Sequence, residues 1–278
     1  SYDVIIPSDY MVARMGEEGL LMELDYSKIP NAENIDPRYL NPAYDTEQKY
    51  SLPYMWGTTG IIYNTTMVDK APTSWMDLFT TDLKGQVLIF DNPRDCIGLA
   101  LKALGYSFNT TDKDQIAEAT DLLIKQKEDG IVQAYVMDQI FDKMINNEAA
   151  MGTYYAGDYL TMVEENPDLA FVQPEEGSNL FVDAMCIPTC SKNYEDALAF
   201  INFMCRDDIV LRNCDETGYS CPSTTALEEM DEEMATDPVA YPGEDILDKA
   251  ETFGGLPEET LTFYDHEWIR ICLAKVKY

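Results

Sequence analysis

Residues 50–64 read YSLPYMWGTTGIIYN, an apolar and aromatic run with small residues at its centre. β-branched and aromatic side chains suit a buried, extended strand. Gly57, Thr58, Thr59 and Gly60 interrupt that pattern, and glycine inside a strand marks a bend or a close backbone approach. A strand that enters one core, bends at small residues and enters a second core is what a crossing between two lobes requires. The chain has 278 residues, room for one large domain or two medium ones. A second apolar run, LFVDAMCIP at 180–188, gives a second candidate crossing.

Around these runs, strands alternate with helices. DVIIP at 3–7 reads as a strand leading into a helix over YMVARMGEEGLL. Ser74 in TSWMDLF is a candidate helix cap, followed by a strand at 86–90. A helix over 94–104 stops at Gly105, and another starts near Asp112, where early negative charge suits the helix dipole. A helix at 138–147, a strand at 149–155, a helix from Gly157 toward Glu165 and a strand at FVQP follow. Helices at 195–205 and 208–213 precede an acidic, loop-rich stretch and a last helix at about 261–276. This alternation predicts an α/β fold with mostly parallel sheets.

Fifty-one acidic and 19 basic residues leave a net charge of −32. Nucleic acid and anionic membranes are disfavoured as partners, because binding them needs basic groups. A cationic solute would be attracted, mainly through its rate of encounter, although such a charge also serves solubility. No G-x-S-x-G, G-x-x-x-x-G-K-[ST] or G-x-G-x-x-G motif occurs. His266 is the sole histidine, which leaves little for a Ser-His-Asp triad or a zinc site. No enzyme activity, cofactor or metal is expected. Of seven cysteines, Cys186, Cys205 and Cys272 read as small core residues, while Cys214 and Cys221 flank a turn and could form a bridge.

Most carboxylates here are expected on solvated faces. The exceptions lie in apolar sequence at strand ends: Asp91 and Asp95 after VLIF, and Asp183 within LFVDAMCIP. A charge in such surroundings is costly unless paired; a structural Arg or Lys could supply the partner, or a cationic ligand could. Tyr10, Tyr155 and Tyr219 sit at strand-to-loop junctions. Each could be an ordinary core tyrosine, but aromatic faces also attract alkylammonium groups. An aliphatic diamine needs carboxylates at its ends and aromatic walls along its methylenes.

The stretches YDVIIPSDYMVARM, LNPAYDTEQKYSLPYMWGTTGIIYN, LKGQVLIFDNPRD, PEEGSNLFVDAMCIP and TGYSCPS, in this order, resemble the spermidine/putrescine-binding proteins of polyamine ABC importers. The resemblance runs from Tyr2 to about Pro222. It implies an α/β, two-lobe, type II periplasmic-binding-protein-like fold with the ligand cleft between lobes and a first lobe that is N-terminally incomplete. It implies lobe 1 at 1–57 and 184–227, lobe 2 at 58–183 and 228–278, and a hinge near 57–60 and 181–185. By position it places Ser8, Tyr10, Asn92, Asp95, Tyr155, Asp158, Phe181, Asp183 and Tyr219 in the ligand site. Asp95 and Asp183 would take the ammonium groups, Tyr10, Tyr155, Phe181 and Tyr219 would wall the methylenes, and Ser8 or Asn92 would add hydrogen bonds. Asn92 stands where the family usually has Asp, and Asp95 where it has Glu, which leaves the choice between putrescine and spermidine open. The implied partners are a polyamine and ABC permease subunits, and the implied state is a monomer. The implied location is extracytoplasmic: periplasm or cell surface, lipid-anchored or fused to the permease. The alternatives are the same fold binding a thiamine-like cation or ferric ion, with adjacent Tyr154 and Tyr155 in view, or a two-lobe enzyme.

Overall fold

The structure is a computed structural model that describes residues 2–277. Along the chain run α1 (Asp9–Glu17), three short 3-10 turns, β1 (Ser51–Asn64), α2 (Asp77–Thr80), β2 (Val87–Phe90), α3 (Pro93–Ala103) and α4 (Lys113–Glu128). Then come β3 (Val132–Val136), α5 (Ile140–Ile145), β4 (Met151–Tyr155), α6 (Ala156–Glu165), β5 (Leu169–Val172) and β6 (Leu180–Cys186). Helices complete the described residues: α7 (Tyr194–Met204), α8 (Asp207–Thr217), α9 (Thr224–Glu229), α10 (Glu232–Ala235), α11 (Glu244–Leu247) and α12 (Glu258–Leu273).

The chain divides into two compact units. The first holds Ser1–Gly57, Leu180–Pro242 and Thr252–Gly255; the second holds Thr58–Asn179, Gly243–Glu251 and Leu256–Tyr278. Residues 180–183, 228–242 and 252–255, expected in the second lobe, therefore fall in the first unit. Local bonding explains the second stretch: the Ser220 hydroxyl donates to the Ala240 carbonyl and the Cys221 amide to the Tyr241 hydroxyl, which tie 240–241 to 220–221.

In the second unit the strand order is β3-β2-β4-β1-β5. β2 runs parallel to β3 and β4, while β1 runs antiparallel to β4 and β5. The sheet is thus mixed rather than mostly parallel, because one long strand, β1, inserts against the parallel direction. α4 is started by the Asp112 carboxylate, which accepts from the Asp114 and Gln115 amides. Trp75, Leu88, Ile97, Ile116 and Leu123 form its core, each at most 0% exposed. In the first unit, Met55, Val210, Cys214, Cys221 and Ala226 pack together, and β6 pairs with β1.

Several local expectations are corrected. DVIIP is not a strand: Ile5 within it and Ser8 just after it make only isolated antiparallel bridges, to Cys186 and Asp183. Both lie in one register, but Pro7 between them has no amide to donate, so the ladder breaks. Ser74 does not cap a helix; its hydroxyl accepts from the Met76 amide in the turn ahead of α2. The last helix begins earlier, after Pro257. β3, which the sequence reading passes over, lies between α4 and α5. Cys272 is exposed, and the Cys214 and Cys221 thiols are unbridged. They interact through a hydrogen bond that holds the Cys221 thiol below its ordinary value and the Cys214 thiol above it.

Candidate functional site

The carboxylates singled out in the sequence fall in different units and in different environments. In the second unit, β2 ends at Phe90 and α3 begins three residues on, with Pro93 at its first position and Asn92 as its cap. The Asn92 side chain accepts from the Asp95 amide at 2.9 Å and donates to the Asp95 carboxylate at 2.7 Å. Asp95 also accepts hydrogen bonds from the Tyr155 and Asn179 side chains. Burial dominates its titration and pushes its carboxyl up to about 6, against the pull of Asn92, the Arg94 charge, Tyr155 and Asn179.

Aromatic rings border this carboxyl group. Tyr155 closes β4, with its ring 5.3 Å from Phe90 and 4.9 Å from Tyr154. The Tyr154 hydroxyl donates to Asp138 at 3.0 Å. Burial, the Asp158 charge and that hydrogen bond together raise the Tyr154 phenol, holding it protonated. Asp158 lies in the first turn of α6, where its charge suits the helix dipole.

In the first unit, side chains two apart on a strand share a face, so Phe181 and Asp183 lie on one side of β6. Phe181 is buried and meets Tyr219 edge-on at 5.6 Å. Tyr219 follows Gly218, whose φ of 73° ends α8 in the left-handed conformation. Gly57 has no room for a side chain: a Cβ there would sit 2.7 Å from the Phe181 ring. Asp183 is half-buried and bridges to Ser8, the residue that begins α1. Burial raises the nearby Tyr54 phenol, with Cys214 and Asp183 adding to it. Tyr10, in the first turn of α1, packs edge-on against Phe253 at 6.0 Å.

The structure thus joins Ser8 with Asp183, Phe181 with Tyr219, and Asn92, Asp95 and Tyr155 with one another. Tyr10 stacks with Phe253 rather than with the other predicted aromatics in the ring pairs described. Sequence reasoning missed Tyr54, Phe253 and Asn179. Tyr54 lies inside the opening run, and Asn179 is a polar residue directly ahead of a buried strand, a signal that could have been read. Phe253 carried no local signal.

The two compact units and the family match together define the class: a solute-binding protein. The profile described as bacterial extracellular solute-binding protein matches residues 1–242, so the chain belongs to that family and is extracytoplasmic. It is 35% identical over 252 residues to the spermidine/putrescine-binding periplasmic protein of Salmonella typhimurium, spanning 90% of this chain and 72% of that one. It is 34% identical over 275 residues to spermidine/putrescine-binding periplasmic protein 1 of Haemophilus influenzae, spanning 99% of this chain and 76% of that one. Among solved structures, it resembles the spermidine/putrescine ABC transporter substrate-binding protein PotD from Streptococcus pneumoniae. The TM-score is 0.88 and the identity 40%, covering 99% of this chain and 84% of that one. Among the described residues no helix is long and apolar enough to cross a membrane.

Proposed function

We propose that this chain is the substrate-binding subunit of a polyamine (spermidine/putrescine) ABC importer. The observation that carries the reading is one carboxylate in each unit set among aromatic side chains, Asp183 in the first and Asp95 in the second. A diamine presents two cations joined by an apolar stem, and this pair of half-sites matches that pattern. The names of the relatives, spermidine/putrescine-binding proteins, support it. Asp95 and Asp183 each neutralise one ammonium. Tyr10, Tyr155, Phe181 and Tyr219 cover the methylenes, Ser8 and Asn92 add hydrogen bonds, and Asp158 adds negative potential. The hinge runs through 57–60 and 181–185 and closes the lobes on the ligand, and the closed monomer is presented to permease subunits. Binding, not catalysis, is the whole of the function.

Calorimetric titration of the native full-length protein with putrescine, spermidine, spermine, thiamine and ferric citrate tests this. Saturable binding of a polyamine, with thiamine and ferric citrate silent, is the expected result. Silence with all three polyamines would overturn the reading.

A further inference from the structure

Asn179 is the last residue of the second unit before the chain turns into β6. It is only 2% exposed. Its backbone is fixed on two sides: its carbonyl accepts from the Thr59 amide at 3.1 Å, and it bridges in parallel to Glu251. Its side-chain amide is committed too, because the Asp95 carboxylate can only accept, so the amide nitrogen is the donor in their hydrogen bond. That orientation leaves the amide oxygen, Oδ1, buried and without a hydrogen-bond partner among the described residues. Orphaned buried acceptors are rare and costly in native proteins. This one lies beside the carboxyl group that the sequence and the fold both single out.

A primary ammonium carries three N–H donors, and a carboxylate already bonded to Asn92, Tyr155 and Asn179 has limited capacity left for them. We propose that Asn179 Oδ1 accepts one N–H of the ligand's terminal primary ammonium while Asp95 supplies the opposing charge. Asn179 is then a specificity-determining residue: it favours primary amines over their N-alkylated counterparts, which have fewer protons to donate. This rests on the polyamine reading and adds a residue to it. The same amide also positions Asp95, and the two roles separate by ligand. Losing the positioning contact weakens every amine alike. Losing the acceptor weakens primary amines selectively.

The test is calorimetry with putrescine and N,N′-dimethylputrescine on the native protein, Asn179→Leu and Asn179→Ser, with thermal unfolding as the folding control. Leucine keeps the volume without an acceptor, and serine restores a hydroxyl oxygen. The native protein should prefer putrescine. Asn179→Leu should lose about 10–100-fold in putrescine affinity, as for a hydrogen bond to a charged group, and lose most of the preference. Asn179→Ser should recover part of it. A preference unchanged in both variants, or an equal loss for both ligands, overturns the role of Oδ1 and leaves the polyamine reading standing. Failure of the native protein to bind either amine overturns both.

Discussion

The two units solve the same electrostatic problem in opposite ways. In the second, Asp95 is enclosed by Asn92, Tyr155 and Asn179, and burial lifts its carboxyl to about 6. In the first, Asp183 is half-buried on a strand face it shares with Phe181, with Ser8 bridged to its backbone. One carboxylate is held in place before any ligand arrives, at a cost to the free protein. The other is half-buried and keeps more of its water. In the proposed polyamine complex the rigidly held carboxylate would set position and selectivity, and the half-exposed one would supply attraction.

The largest effect should come from the half-exposed member. Asp183→Asn should weaken polyamine binding by about 2–5 kcal/mol if the ion pair is desolvated in the complex. A calorimetric loss under about 0.5 kcal/mol would remove Asp183 from the site and break the symmetry of the comparison.

Asp95 should show itself in stability. Its folded pKa lies above its unfolded one, so the folded state holds the proton more tightly and the unliganded protein loses stability as pH rises from about 4 through 6. The loss, fully present above 6, amounts to about 3 kcal/mol at roughly 1.4 kcal/mol per unit. Urea unfolding of the native protein and Asp95→Asn, at pH 4.5 and 7.5, should give a difference between the two that shifts toward the variant at the higher pH. A difference that does not change with pH would mean that Asp95 is not strained. Cation binding needs the ionised form, so polyamine affinity should fall below pH 6 in the native protein and stay flat in the variant.

Gly57 tests the first unit's packing. Gly57→Ala puts a Cβ against the Phe181 ring and should destabilise by about 1–3 kcal/mol, as overpacking does. Thermal unfolding that stays unchanged would show that the ring yields easily. The smallest effect concerns the thiols: Cys190 and Cys272 are exposed and should react first with a disulfide reagent, while buried Cys96 should react only on unfolding. Early reaction of Cys96 would mean that the second unit opens more readily than its core suggests.

Much of the local structure was legible because it is written at short range. The Asp112 cap, the stop at Gly105 and the strand at 51–64 depend on neighbours in sequence. Asp95, Asp183, Tyr10, Tyr155 and Tyr219 were candidates from their place at strand ends, while Phe181 and Asp158 came only from the family resemblance. Strand direction was not, since apolar alternation reads the same in parallel and antiparallel pairs, and β1 turned out antiparallel to β4 and β5. Asn179 was missed because its importance lies in what surrounds its two amide ends, not in its type. Phe253 reaches Tyr10 from far along the chain, and Cys272, apolar by context, ended on the outer side of α12.

The sequence by itself determined that this chain is an acidic, two-unit α/β protein with carboxylates and aromatics at its strand ends, because composition, periodicity and capping act within a few residues. Only the tertiary structure decided which unit 228–242 joins, which carboxylate is enclosed and which half-exposed, and that an amide oxygen beside Asp95 has no partner among the described residues. Those outcomes depend on burial and on contacts between distant residues, and no local pattern encodes them.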